Sequence, residues 1–171
     1  LLLMSALAVA PISSASIVTW NLSNVTFSDA ATASGSFDLN ADTNGVSNWN
    51  ISVTAGVLSA FTYTPSNSTA GSYFQVAGYE NELLFMMNGT TRQLRLTPLS
   101  TLTNAGGTVP INLNTFGNGS GSVECYNCAP YREVVSGTLM TGTPEPGAMS
   151  LLGLGAAVVG LVTWKRRVAT T

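Results

Sequence analysis

Along residues 17–141 the apolar positions recur in short runs of period two, broken by Gly, Asn, Ser and Pro, and no stretch holds a useful 3.6-residue period. That pattern predicts antiparallel strands with one buried face. In 47–54, Trp49, Ile51 and Val53 fall on one side and Asn48, Asn50 and Ser52 on the other. Residues 82–87 form a denser apolar run, suited to a central strand. In 92–96 alternation resumes, with Leu94 and Leu96 inward and Arg95 outward. Asn88-Gly89 between these runs is a hairpin signal, because both residues tolerate positive φ. Asp42-Thr43-Asn44-Gly45 predicts a second hairpin, between strands at 34–41 and 46–54. Further strands are predicted at 18–27, 57–64, 73–76, 109–113 and 132–140. Eight to ten short strands at this spacing predict an all-β fold, a jelly-roll-like antiparallel β-sandwich. Trp20, Phe27, Phe37, Trp49, Phe61, Tyr63, Phe74 and Phe85 are its expected core aromatics.

Two segments break the alternation. Residues 1–11 read LLLMSALAVAP, and residues 148–164 read AMSLLGLGAAVVGLVTW without one charge. The first is too short to cross a bilayer as a conventional helix. Ser13-Ser14-Ala15 behind it supplies small residues at the −3 and −1 positions of a signal-peptidase site. Residues 1–15 are therefore expected to be a signal-peptide remnant, truncated at its start, with cleavage after Ala15. Cleavage after Ala10 is disfavoured because Pro11 would follow the cut. The second segment, as a helix, spans about 25 Å, the short end for a hydrocarbon core.

Composition sharpens the contrast between the middle and the ends. The chain is 45% hydrophobic and 8% charged, against about 25% charged residues in an average soluble domain. Residues 16–142 hold 32 Ser and Thr but only 7 acidic and 3 basic residues, the latter Arg92, Arg95 and Arg132. A polar surface built from hydroxyls and amides, with no Lys in the domain, excludes nucleic acid as a partner, since phosphate binding draws on clustered Lys and Arg. The chain has no His. The usual general base of Ser and Cys hydrolases and the commonest ligand of catalytic zinc are thereby absent. The expectation is a protein that is not an enzyme and carries no metal or cofactor.

Four local patterns bear on chemistry. Residues 38–45 place Asp38, Asn40, Asp42 and Asn44 at alternating positions. An EF-hand loop needs Gly sixth and Glu twelfth, where Thr43 and Trp49 stand, so a hairpin turn accounts for the segment better. Cys125 and Cys128 form a C-x-x-C pair with no second pair and no His to complete a zinc site. In an oxidising compartment they are expected to form a structural disulfide that rigidifies a loop. Glu80 and Glu82, two residues apart, can share a strand face, but nothing in the sequence shows the spacing across a substrate that two-carboxylate glycoside hydrolysis needs. N-x-S/T triplets at Asn21, Asn24, Asn50, Asn67, Asn88 and Asn118 are expected by chance in so Ser-, Thr- and Asn-rich a chain.

At residue 143 the composition changes abruptly. Pro144-Glu145-Pro146 is a rigid, extended tripeptide. The apolar segment 148–164 follows, with Gly153, Gly155 and Gly160, residues common in membrane helices. Trp164 suits the interface, and Lys165, Arg166 and Arg167 form a positive stop that keeps this end cytoplasmic. This order of parts resembles the PEP-CTERM sorting tail, with Thr143 and Gly147 as mild departures at positions where Val and Ser or Thr are frequent. The upstream residues Gly35-Ser36-Phe37-Asp38, Trp49-Asn50-Ile51 and 132–138 are similar, more loosely, to a recurrent class of small PEP-CTERM proteins. The resemblance implies recognition of Pro144, Glu145 and Pro146 by an exosortase, an integral-membrane transpeptidase-like enzyme of exopolysaccharide-producing Gram-negative bacteria, and removal of the tail.

The organisation expected is a signal remnant at 1–15, an exported domain at 16–142, a sorting tail at 143–167 with a transmembrane helix at 148–164, and a cytoplasmic end at 168–171. The precursor would cross the inner membrane once and the processed domain reach the cell envelope or extracellular matrix. Its expected role is that of a non-enzymatic surface or matrix protein. The alternative is an exopolysaccharide-binding module that uses Tyr73, Tyr79, Tyr126 and Tyr131.

Overall fold

The computed structural model describes residues 17–73, 81–113 and 121–142. Among them are ten strands and no helix: β1 (Val18–Phe27), β2 (Thr32–Asn40), β3 (Gly45–Val53), β4 (Phe61–Tyr63), β5 (Ser68–Ser72), β6 (Leu83–Met87), β7 (Arg92–Leu96), β8 (Thr108–Pro110), β9 (Val123–Tyr126) and β10 (Tyr131–Thr141). No helix of the described residues is long and apolar enough to cross a membrane. The expected signal remnant 1–15, the tail 143–167 and its span 148–164 lie outside the described residues, as do Phe74, Tyr79, Glu80 and Asn118. The compact unit that holds the strands ends at Thr141.

The strands form one curled antiparallel sheet in the order β4-β3-β2-β1-β10-β9-β7-β6-β5, with β8 paired to β10. β10 joins two halves. Its first residues, Tyr131 to Glu133, pair with β9, and residues 134–141 pair with β1. The halves face each other across a shared core. Trp20, Leu22, Phe27, Phe37, Leu39, Ile51 and Tyr63 come from one half, and Leu83, Phe85, Leu94 and Leu96 from the other. The rings of Phe37 and Phe85 meet between the layers at 5.7 Å, within the range favoured by tilted aromatic pairs. Trp49 and Phe61 are half-buried and pack against this core.

The all-β, sandwich-like expectation is met, but the connectivity is not that of a jelly roll. A jelly roll contains two Greek keys. Here consecutive strands are neighbours almost throughout, as in an up-and-down barrel that stays open between β4 and β5. The reason is turn length: β1–β2, β2–β3, β6–β7 and β9–β10 are joined by four residues each. Links that short hold successive strands side by side. Along the open seam, side chains replace the ladder. Trp49 Nε1 donates to Ser68 Oγ at 2.9 Å, Ser68 Oγ donates to the Thr64 carbonyl at 2.7 Å, and Ser72 Oγ donates to the Asn44 carbonyl at 2.6 Å.

The strand limits follow the apolar pattern where it is strong and depart from it where it is weak. β1 and β7 coincide with the expected 18–27 and 92–96. β5, at Ser68–Ser72, and β9 lie where the pattern predicts no strand, while the expected strand at 73–76 falls, from Phe74 on, outside the described residues. β5 reads STAGS, with no apolar alternation to mark it. Within β1 the buried parity shifts from Trp20 and Leu22 to Val25 and Phe27, through Asn24 at φ 52° and a break in register with both neighbours. Such a bulge keeps both ends of a ten-residue strand facing inward.

Gly35 in β2 has φ +123°, and a Cβ there would lie 2.0 Å from the Asn50 carbonyl oxygen of β3. Replacing it by Ala should destabilise the fold by at least about 2 kcal/mol. At Gly89, in the β6–β7 turn, a Cβ would meet nothing within 4 Å. Ala there should cost only about 1 kcal/mol. Urea unfolding of the two variants checks this; equal costs would contradict the close approach at Gly35.

Candidate functional site

At one end of the barrel, β7, β9 and β10 place three charged side chains inward. Arg132 and Glu124 are cross-strand partners, and Leu94 next to Arg92 on the inner face of β7 opposes Glu124. Glu124 is 0% exposed, Arg132 1% and Arg92 5%. Isolated, each such charge would cost several kcal/mol to bury. The geometry offsets that cost by saturating the carboxylate. Glu124 Oε1 accepts from Arg92 Nε (3.0 Å), Arg92 Nη2 (2.7 Å) and the Tyr63 hydroxyl (2.9 Å). Glu124 Oε2 accepts from Arg132 Nε at 2.7 Å and from Arg132 Nη2.

The guanidiniums carry the network to loops of the other half. Arg92 donates to the Ser59 hydroxyl (3.2 Å) and carbonyl (2.6 Å), and Arg132 to the Thr54 carbonyl (3.0 Å) and Asp29 Oδ2 (3.4 Å). Each also lies over an aromatic ring, Arg92 over Phe61 at 5.0 Å and Arg132 over Phe27 at 4.5 Å. Burial pushes the Tyr63 hydroxyl well above its ordinary 10.0, and the Glu124 charge adds to the rise. At Asp29, burial works to raise the carboxyl. Hydrogen bonds from the Val57 and Ala31 amides, with the charge of Arg132, outweigh it and hold Asp29 below 3.8. A carboxylate with five donors and no exposed surface is chemically a lock between strands and loops.

The sequence-derived candidates fall in different places. Cys125 of β9 and Cys128 of the β9–β10 turn are joined as a disulfide, Cα to Cα 4.5 Å, and Gln93 Nε2 lies 3.4 Å from each sulfur. Glu82 is paired with Arg95 at 2.6 Å, while Glu80 lies outside the described residues. Asp38 accepts from the Thr19 hydroxyl (2.6 Å) and Asn48 Nδ2 (2.9 Å), and Asn40 Oδ1 caps the turn at the Asp42 amide (3.0 Å). Among the described residues no group of three His, Cys, Asp or Glu is placed to hold a metal ion.

The described tyrosines do not make one platform. Tyr126 and Tyr131, 46% and 51% exposed, flank the β9–β10 turn, whereas Tyr73, 38% exposed, follows β5 at the other end of the sheet. Tyr131 is the cross-strand partner of Cys125, so Tyr131 and Tyr126 leave the hairpin on opposite faces. Ala15, Pro144, Glu145, Pro146, Lys165, Arg166 and Arg167 lie outside the described residues.

Residues 143–167 match the PEP-CTERM protein-sorting motif. The chain carries a PEP-CTERM sorting tail. That motif supports an exported protein processed at the membrane, with exosortase as the processing partner. No curated protein and no solved structure matches the chain.

The cluster of Arg92, Glu124 and Arg132 escapes the sequence-based expectations, although a signal is present. Arg92, Leu94 and Leu96 share one parity, so the same alternation that turns the leucines inward turns Arg92 inward too. Glu124→Gln should cost about 3–5 kcal/mol, the range for breaking a buried pair. Glu82→Gln, whose partner Arg95 is partly solvated, should cost about 1 kcal/mol or less. Equal losses in urea unfolding would contradict the lock. Because the folded-state pKa of Asp29 is depressed, its contribution is present above the ordinary 3.8 and is lost as pH falls through the folded value. Asp29→Asn should therefore flatten the acid limb of the stability profile below about pH 4; an unchanged limb would exclude Asp29 as its source.

Proposed function

We propose that the chain is a non-enzymatic surface or matrix protein. It is held in the inner membrane as a single-pass precursor by residues 148–164 and delivered to the cell envelope or extracellular matrix once exosortase reads Pro144, Glu145 and Pro146. The observation that carries this is the matched sorting motif at 143–167. Two further features support it. The domain lacks His, and Glu124, Glu82 and Asp29 are each engaged by an arginine. The low charge of the domain suits a protein embedded in a hydrated polymer, where solubility rests on hydroxyl and amide groups.

A second reading, exopolysaccharide binding, is favoured by one observation: Tyr126 and Tyr131 stand exposed on a hairpin fixed by a disulfide. Rigid aromatic side chains lose little freedom on binding and present flat faces to sugar rings.

Glu145→Ala should leave unprocessed precursor in the inner membrane of a strain that has its exosortase, as mass determination of the C-terminus would show. Processing at the wild-type level would refute the sorting role. Retardation of the purified protein in gels containing exopolysaccharide, abolished by Tyr126→Ala with Tyr131→Ala, would select the binding module; unchanged migration would select the structural role.

A further inference from the structure

Cys125, the end of the disulfide that lies on a strand, belongs to a three-strand row on the face opposite the buried charge cluster, and its partner Cys128 lies in the turn that leads into β10. On β7, Gln93 follows Arg92; on β9, Cys125 follows Glu124; on β10, Tyr131 precedes Arg132. The cross-strand partners are Gln93 with Cys125 and Cys125 with Tyr131, beside Glu124 with Arg132. Adjacent residues of a strand point to opposite faces. Gln93, Cys125 and Tyr131 thus form a row whose inward neighbours are Arg92, Glu124 and Arg132. Gln93 ties β7 to the disulfide by placing Nε2 3.4 Å from both Cys125 Sγ and Cys128 Sγ. The ring closed by the disulfide joins residues only three apart, so loop-closure entropy gives it little leverage over the whole chain. Its leverage lies in where it sits. A hairpin that opens separates Glu124 from Arg132, and the cluster then holds buried charges short of their partners.

We propose that the Cys125–Cys128 pair is a redox latch for the buried cluster: the oxidised pair holds β9 and β10 in the register that assembles Arg92, Glu124 and Arg132, and the reduced pair releases it. The covalent step is thiol–disulfide exchange with a small or protein-borne disulfide donor. The two cysteine thiols lose two electrons and two protons in forming the S–S bond, and the donor disulfide takes up both and leaves as two thiols. The biological sense of the latch rests on the export reading. In a reducing cytoplasm the cluster stays loose and the chain suits translocation, and in an oxidising compartment it closes.

The test is hydrogen exchange on the full-length protein in detergent, oxidised and after reduction of the folded chain with excess dithiol, so that no refolding is required. Reduction should speed amide exchange at least tenfold in β7, in β9 and in the first half of β10, while β2 and β3 keep their rates. Acceleration confined to residues 126–130, or none, would overturn the latch, because the disulfide would then rigidify only its own turn. A Cys125→Ser/Cys128→Ser chain should exchange like the reduced protein; exchange like the oxidised one would equally overturn it. The export reading is scored separately, by fractionation of the producing cells: recovery of the chain in the envelope supports it, and retention in the cytoplasm overturns it whatever the exchange rates show.

Discussion

Everything at the hairpin end of this barrel depends on one carboxylate. Glu124 is fully buried and shared between two guanidiniums. In a low-dielectric interior such an arrangement is stable only while each partner is in place. The three arginines of the domain make the point by their scarcity, since two of them are held on Glu124. Through Ser59, Thr54, Asp29 and Tyr63 the same network reaches the β1–β2 turn, the β3–β4 loop and β4. It adds side-chain bonds between the two halves of the sheet, whose strands are laddered together through β10.

The other end is organised differently. Trp20 of β1 pairs with Thr141 of β10, and Thr141 is further held by the Gly107 amide and carbonyl. Entry to β1 and exit from β10 therefore share one end of the barrel. The cluster and the disulfide-bonded turn lie at the other, ~30 Å away along β10 by the rise of an extended strand. The division suits the proposed role. One end joins the processing signal, and the other end, stiffened by ion pairs and a disulfide, carries the two exposed tyrosines.

What can be read from the chain differs from one feature to the next for physical reasons. The tail is legible because its information is linear, a fixed order of Pro-Glu-Pro, apolar segment and basic residues. β1 and β7 are legible because strong apolar alternation marks them. β5 is not, because Ser, Thr, Ala and Gly give no period, and β9 is masked by a buried Glu124 in the middle of its inward face. The jelly-roll expectation concerns long-range connection. Strand count and spacing do not distinguish it from a sequential barrel; the short turns do. Glu124 cannot be paired with Arg92, 32 residues away, until register brings them together.

The central claim, that the cluster is a mutually compensating buried network, is tested most directly by removing it whole. In equilibrium urea unfolding, the Tyr63→Phe/Arg92→Met/Glu124→Leu/Arg132→Met variant should retain more stability than Glu124→Gln alone, because it leaves neither guanidinium stranded. A combined variant less stable than Glu124→Gln, by the sum of its separate losses, would show that the charges act independently and would contradict the account.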